Sequence, residues 1–321
     1  MRIATLSIAL IACLFAAGGA AAQDYPSKPI RWIVPYPAGG GADNLARLVT
    51  QRVSQALKQP IVVDNRPGGN TIIGTQALLA SPKDGYTVMH TAEQLASNAS
   101  LYPELKYSAE REIEFIAPMV RTPLVLLARP DLPASDAAGL FAFLKQGGDK
   151  VTFGSWGQGG ANHLVMEAFA DRVGVRPTHI PFPGAAPAIQ SLLGGQIDVY
   201  FSDPTTALPY IRSGKLKALL VSTRDRLPFL PNVPTVHESG YPGFDMYTWQ
   251  GLVAAKGIPP EVVKTLAATV RQTIQEPEIH KELLERGFIP DPGTPEQFKA
   301  SFLRTQSLLG DIVRKLNIRI Q

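Results

Sequence analysis

Pro35-Tyr36-Pro37-Ala38-Gly39-Gly40-Gly41-Ala42-Asp43 is the stretch on which the reading of the fold turns. The apolar run Ile30–Val34 leads into it, and an amphipathic run from Asn44 to Lys58 leads out. The combination predicts a strand, a glycine loop and a helix. Consecutive glycines free the backbone for φ > 0 and let a ligand approach the main chain closely. The loop delivers the chain into a helix N-terminus, where unpaired N–H groups and the positive dipole end favour an anion. Glycines also close tight βα turns that bind nothing, so the loop alone leaves both roles open. Asp43 has the same ambiguity. It suits an N-cap or first-turn carboxylate, and it could equally accept hydrogen bonds from a ligand amine, a hydroxyl or an ordered water.

The alternation continues downstream. Leu45, Leu48, Val49, Val53, Ala56 and Leu57 fall at helical spacing. Ile61-Val62-Val63 predicts a second strand, and Asn65–Asn70 a second glycine loop that opens a helix over Thr71–Ala80. Tyr86–His90 predicts a third strand, and Thr91-Ala92-Glu93-Gln94 the start of another helix. A β-α-β-α-β-α order implies a parallel sheet covered by helices, with ligands at the carboxyl ends of its strands. A second unit repeats the theme. It has strands at Leu124–Ala128, Val151–Phe153, Thr178–Pro181, Gln196–Phe201 and Leu216–Ser222. Its helices span Ser135–Lys145, with Ser135 as N-cap, then Asn162–Arg172, Ala185–Leu193, and a run from Pro204 to near Gly214. The tail predicts a strand at Thr248–Ala254 and helices at Pro259–Gln275, Glu278–Arg286 and Pro295–Lys315. This helical tail is expected to pack back onto the first unit. One domain would then comprise residues 23–123 and 234–321, with 124–233 inserted as the second and two crossovers forming a hinge.

Composition narrows the classes. The 321 residues are 45% hydrophobic and 18% charged, which supports a real core and excludes a disordered chain. A formal net charge of +4 is too small, and its Lys and Arg too scattered, for a nucleic-acid binder. Residues 1–22 read as an export signal: Arg2, an apolar core at Ile8–Phe15, and Ala20-Ala21-Ala22 before Gln23. Glycines and alanines keep this stretch short of a membrane anchor. Leu10-Ile11-Ala12-Cys13 resembles a lipobox, but its apolar segment is very short and a good cleavage site follows. With cleavage near Ala22-Gln23 the mature chain would lack cysteine, hence disulfides and thiol chemistry. The expected location is periplasmic.

Common catalytic motifs are missing. There is no P-loop, no G-x-G-x-x-G, no G-x-S-x-G elbow and no H-E-x-x-H. In Gly154-Ser155-Trp156-Gly157 the elbow fails because Phe153 occupies the first glycine position. His163 and Glu167 lie four apart on one helix, but a metal wants three or four ligands; no metal or cofactor is expected. His163 could donate to a ligand or cap its helix. His179 suits a satisfied core or edge position, and Trp249 suits a core; Trp156 could stack on a ligand or fill core. What remains is a set of helix N-termini near Asp43, Thr71, Asn162 and Ala185. Together they could hold a carboxylate with main-chain donors, each worth about 0.3–1 kcal/mol when exposed.

The stretch 35–43 is similar to the signature of the substrate-binding proteins of tripartite tricarboxylate transporters, the Bug family. The likeness extends through Asn65-Arg66-Pro67-Gly68-Gly69, Asn162-His163-Leu164 with Glu167, and Gly184-Ala185-Ala186-Pro187-Ala188 followed by Gly194-Gly195-Gln196-Ile197-Asp198. It continues in Val233-Pro234-Thr235, Glu238-Ser239-Gly240 and Trp249-Gln250-Gly251-Leu252. The resemblance implies an α/β, two-domain, type II Venus-flytrap protein that holds a small carboxylate between its domains, largely through main-chain donors and waters. It implies that the loop from Tyr36 to Asp43 forms one jaw, and that Ser155–His163 and Pro183–Ala186 form the other. The candidate ligand residues are therefore Tyr36, Ala38, Gly39, Gly40, Asp43, Thr91, Glu93, Ser155, Trp156, Gly160, Ala161, Asn162, His163, Pro183, Gly184, Ala185 and Asp203.

Two segments depart from the family. Phe182-Pro183-Gly184 stands where Tyr-Lys-Gly is common, and Trp156-Gly157-Gln158-Gly159-Gly160 where a Ser/Thr-rich loop is common. With Glu93 adding negative charge, these favour a less charged, more apolar or amine-bearing carboxylate over one such as citrate. The expected protein is a non-catalytic, monomeric binder serving membrane transporter subunits or a sensor kinase. The alternative is an exported enzyme acting on a carboxylated small molecule, with His163 or Glu93 as acid/base.

Overall fold

A computed structural model describes residues 25–315 and Ile318. The expected leader, its cleavage site and Cys13 lie outside the described residues. The chain runs β1 (Ile30–Val34), α1 (Gly41–Leu57), β2 (Ile61–Asn65), α2 (Ile72–Leu79), β3 (Thr87–Ala92), α3 (Gln94–Leu101), α4 (Ala109–Glu112) and β4 (Ile113–Pro123). It continues through β5 (Val125–Ala128), α5 (Ala137–Gly147), β6 (Thr152–Ser155), α6 (Ala161–Val173), β7 (Thr178–Pro181), α7 (Ala185–Leu193), β8 (Val199–Ser202), α8 (Pro204–Arg212) and β9 (Lys217–Val221). It ends with β10 (Tyr247–Ala255), α9 (Pro260–Gln275), α10 (Pro277–Glu285), β11 (Ile289–Pro290) and α11 (Pro295–Lys315).

Two mixed sheets result, of order β11-β4-β10-β3-β1-β2 and β7-β6-β8-β5-β9. In the first, β1 runs parallel to β2 and β3, whereas β10 runs antiparallel to both β3 and β4. The sheet is therefore not the all-parallel one expected, because β10 arrives from the second sheet and enters from the opposite end. Strand β4 was not anticipated. Its prolines Pro118 and Pro123 read as breakers in sequence, yet Pro118 sits at a register shift between Gln250 and Gly251, where a bulge tolerates the missing donor. In the second sheet β6 is parallel to β7 and β8, and β5 antiparallel to β8 and β9.

The period-two alternation of the strands sorts the core. Trp32 and Val34 face a cluster with Leu45, Val49, Leu266 and Val270 from α1 and α9. Ile33 faces the opposite cluster, with Phe115, Trp249, Phe298 and Phe302. Trp249 is fully core, as expected, and its indole N–H donates to Thr305 Oγ1 at 2.9 Å. The second sheet is buried likewise between Phe153, Phe169 and Phe201 on one side and Ile189, Leu192 and Tyr200 on the other.

Helix boundaries differ where they matter to the loops. Helix α1 starts at Gly41, three residues before the expected Asn44, so Asp43 lies in its first turn. Thr91 and Ala92 complete β3, and Glu93 is the N-cap of α3. Asp136, not Ser135, caps α5, because its carboxylate reaches the Gly139 N–H at 2.8 Å.

The sheets are joined closely. A single residue, Leu124, separates β4 from β5. The buried Ser222 hydroxyl accepts from the Leu124 N–H at 3.0 Å and donates to the Met246 carbonyl at 2.6 Å. Val236, Phe244 and Met246 pack into the core of the second sheet. Helix α11 begins in the first core with Phe298 and Phe302 and ends in the second with Leu309 and Val313. Lys315 on its last turn pairs with Asp171 on α6 at 2.6 Å.

Candidate functional site

The loop after β1 is built by its own side chains. Gly39 has φ +80°, a left-handed value that favours glycine, whereas Gly40 is extended at φ −74°. Asp43 is 1% exposed and clamps the loop from below. Its Oδ2 accepts from the Gly39 N–H at 2.8 Å and Arg47 Nε at 2.9 Å, and its Oδ1 accepts from Asn65 Nδ2 at 2.9 Å. Burial raises its pKa, but these hydrogen bonds outweigh burial and hold the carboxyl below the ordinary range. Asp43 is thus committed to the loop. Ala38, Gly39, Gly40 and Gly41 are exposed above it.

Glycine recurs at the helix starts. Gly40, Gly160 and Gly184 are the N-caps of α1, α6 and α7, and none of these helices has a side-chain cap. A glycine N-cap carries no side-chain acceptor, so the first-turn N–H groups stay available to an outside acceptor. The three follow β1, β6 and β7, at carboxyl ends of parallel strands. The two edges meet: a Cβ on Gly41 would lie 3.5 Å from Thr205 Oγ1 at the start of α8. Asp203 differs from the glycines, because its carboxylate caps α8 itself, bonded to Thr205 Oγ1, to the Thr206 N–H at 3.0 Å and to Thr206 Oγ1 at 2.8 Å.

On the second sheet, Trp156 folds over its own loop: a Cβ on Gly160 would come within 2.9 Å of the indole nitrogen. Asn162 is fully buried and ties the α6 start to β8 by donating to the Phe201 carbonyl at 3.0 Å. His163 Nδ1 accepts from the Gly159 N–H at 3.0 Å, and its Nε2 lies 3.6 Å from Glu167. His163 therefore shapes the glycine loop as a capping side chain does. Its ring stacks on His179 at 3.9 Å between centroids, and His179 stacks on Phe153 at 4.8 Å. Burial, then the neighbouring His163, push the His179 pKa down to about 3. His179 Nε2 is 2.7 Å from Ser155 Oγ, a serine–histidine contact that spacing in sequence could not reveal. Ser155 is buried, and its hydroxyl is also engaged by both the N–H and the carbonyl of Gly157. Pro183 is exposed, and Gly184 and Ala185 are half-buried at the start of α7.

At the end of β3, Thr91 is buried in the strand and Glu93 is buried just beyond it. Burial pushes the Glu93 pKa up to about 7. Tyr36 donates its hydroxyl to Gln94 Oε1 at 2.8 Å, a partner not singled out from the sequence. Burial, then the charge of Glu93, push the Tyr36 phenol well above its ordinary value. His90 Nε2 lies 2.8 Å from Gln250 Oε1, while Nδ1 is buried without a partner among the described residues; burial lowers its pKa to about 4. Among the described residues no group of three or more His, Cys, Asp or Glu is placed to hold a metal ion, and no helix is long and apolar enough to cross a membrane.

Comparison with known proteins gives the site its context. The sequence model of the tripartite tricarboxylate transporter family receptor matches residues 45–318. Protein BugT of Bordetella pertussis is 32% identical over 323 residues, covering 99% of each chain. The structure of periplasmic binding protein BugD is similar at a TM-score of 0.81 and 31% identity, covering 92% of this chain and 100% of that one. A protein of R. palustris solved with adipate gives a TM-score of 0.85 at 27% identity, covering 92% of this chain and 99% of that one. The chain thus belongs to the tripartite tricarboxylate transporter receptor family and is a solute-binding protein with its two-sheet α/β fold.

Proposed function

We propose that the protein captures a small carboxylate in the periplasm, in a cleft between two domains, and delivers it to a tripartite transporter or presents its closed form to a sensor. The observation that carries this reading is the trio of uncapped glycine starts on α1, α6 and α7, drawn from both sheets. Such ends attract an anion without a salt bridge, which suits reversible binding. The similar R. palustris protein is solved with adipate, a dicarboxylate, which supports the same chemistry here.

In this reading Gly40 with the first turn of α1 forms one jaw. The starts of α6 and α7, with Trp156 and Pro183 at their mouths, form the other. Asp43, Asn162, His163 and Asp203 hold the jaws in shape rather than touch the ligand. Residues 25–123 and 247–315 form one domain around the first sheet, with the end of α11 (Leu309, Val313) docked on the core of the second. Leu124–Met246 form the other, because Val236, Phe244 and Met246 pack with the second sheet. The crossovers at Leu124 and Met246 act as the hinge.

An exported enzyme finds less support. Ser155 is buried and His179 is stacked on His163 and Phe153, and the family and solved relatives are substrate-binding proteins. A thermal-shift panel of mono-, di- and tricarboxylates tests the reading. A true ligand at 100 times its Kd should stabilise by about 2.7 kcal/mol. A flat response to every carboxylate, with chemical turnover of one of them, would overturn it.

A further inference from the structure

We propose that Glu93 makes the cleft selective for carboxylates that also carry a nitrogen donor, above all an ammonium group. This rests on the reading of the cleft as a carboxylate site and specifies the other end of the ligand.

Glu93 is 4% exposed. The hydrogen bond to its carboxyl comes from its own backbone N–H, and no Lys, Arg or His pairs with it among the described residues. A buried carboxyl without a counter-charge is costly unless something compensates it. The groups that face it do not. Tyr36, from the β1–α1 loop, stays protonated and donates its O–H to Gln94 Oε1, so toward Glu93 its oxygen offers lone pairs alone. Behind Tyr36 stands His90, 6.3 Å away between ring centroids. It feels the charge of Asp43 on α1, and Asp43 is itself saturated by Arg47, Gly39 and Asn65. Burial keeps His90 neutral near pH 7.

The site therefore has two unlike ends. The starts of α1, α6 and α7 offer donors; Glu93 and Tyr36 offer acceptors. A plain dicarboxylate would set its second charge against Glu93 and could be held there only by a protonated Glu93. A ligand ammonium instead supplies the missing counter-charge. Polar groups left unpaired in a site built for a donor penalise an analogue that lacks it.

Calorimetric titration of the mature chain with matched probes tests this: 4-aminobutanoate, succinate and butanoate, and 6-aminohexanoate, adipate and hexanoate, together with the common α-amino acids and their dicarboxylate counterparts. The expected result is that an aminocarboxylate binds tightest, and that Glu93→Gln weakens it by roughly 100-fold, as for removal of one partner of a buried charge pair. Its affinity should also rise from pH 6 to pH 8 as Glu93 ionises, a wild-type measurement that needs no variant. Tightest binding by a dicarboxylate, with affinity falling over the same pH range or untouched by Glu93→Gln, overturns the inference and leaves the carboxylate cleft standing. Failure of every carboxylate to bind either protein removes the cleft reading, and this inference with it.

Discussion

Glu93→Gln should make the ligand-free protein more stable at alkaline pH while leaving it unchanged in acid. In the folded protein burial lifts the Glu93 carboxyl from an ordinary 4.5 to about 7. Between those values the folded state holds a proton that the unfolded chain has released. Stability from this group is therefore present in full below about pH 4.5 and is lost as the pH climbs through about 7. At about 1.4 kcal/mol per pH unit, the gap amounts to about 3 kcal/mol. Glutamine keeps the shape and has no proton to lose.

The histidines act with the opposite sign. His90, ordinarily near 6.5, is held down to about 4 by burial, so it costs stability as pH falls through that window. His179 does the same but is more exposed, and its share is discounted accordingly. Between pH 4.5 and 6.5 the Glu93 and His90 slopes oppose each other, and the wild-type curve should look nearly flat there. The difference between wild type and variant isolates Glu93. Urea melts of both proteins at pH 5 and pH 8, without ligand, provide it. Near pH 5 the curves should differ by no more than about 1 kcal/mol. At pH 8 the variant should be the more stable by about 3 kcal/mol, or roughly 6–12 °C in Tm. Parallel stability curves from pH 5 to pH 8, or a variant weaker at both, would refute the argument that Glu93 is folded into a site lacking a counter-charge.

Other substitutions separate loop from fold. Gly40→Val should abolish carboxylate binding in calorimetry with little change in Tm, because a Cβ there meets only the Pro37 carbonyl at 3.4 Å and φ is −74°. Asp43→Ala should cost about 2 kcal/mol in urea unfolding by releasing Gly39, Arg47 and Asn65 together, and should weaken binding through a loosened loop. Ser222→Ala should cost about 1–3 kcal/mol by stranding the buried Leu124 N–H, seen as faster hydrogen exchange at that amide. Gly160→Ala should shift Trp156 fluorescence, since the new Cβ would lie 2.9 Å from the indole nitrogen.

Most of the elements were legible in the sequence because strand and helix periodicities are local. β1, β7, α7 and α11 fall at the expected residues, and several others lie within a residue or two. What the sequence hid was non-local. Strand β4 looks like a proline-broken apolar run until β10 lies beside it with a register shift that absorbs Pro118. The antiparallel direction of β10 follows from the excursion through the second sheet, not from any property of residues 247–255. The uncapped helix starts could be guessed, since glycine before a helix is a local signal. The partners of the polar residues could not. Asn65 lies 22 residues from Asp43, His179 24 from Ser155, and Gln250 160 from His90.

In the proposed cleft, that difference separates the side chains that would build the jaws from the one that would read the ligand. Asp43, Asn162, His163 and Asp203 were all candidates for touching a ligand, and each turned out to have its polar atoms engaged by the protein. A carboxylate bound by main-chain groups needs such props, because the N–H groups of a glycine loop point correctly only while something holds the loop. Glu93 has no such duty. It is buried like Asp43, Asn162 and His163, but its carboxyl accepts from its own backbone N–H with no cationic partner among the described residues, and burial has raised its pKa. A cleft that grips the carboxylate with its backbone, as proposed for this chain, leaves its side chains free to distinguish one acid from another. In this chain the side chain left free to do so is an acid.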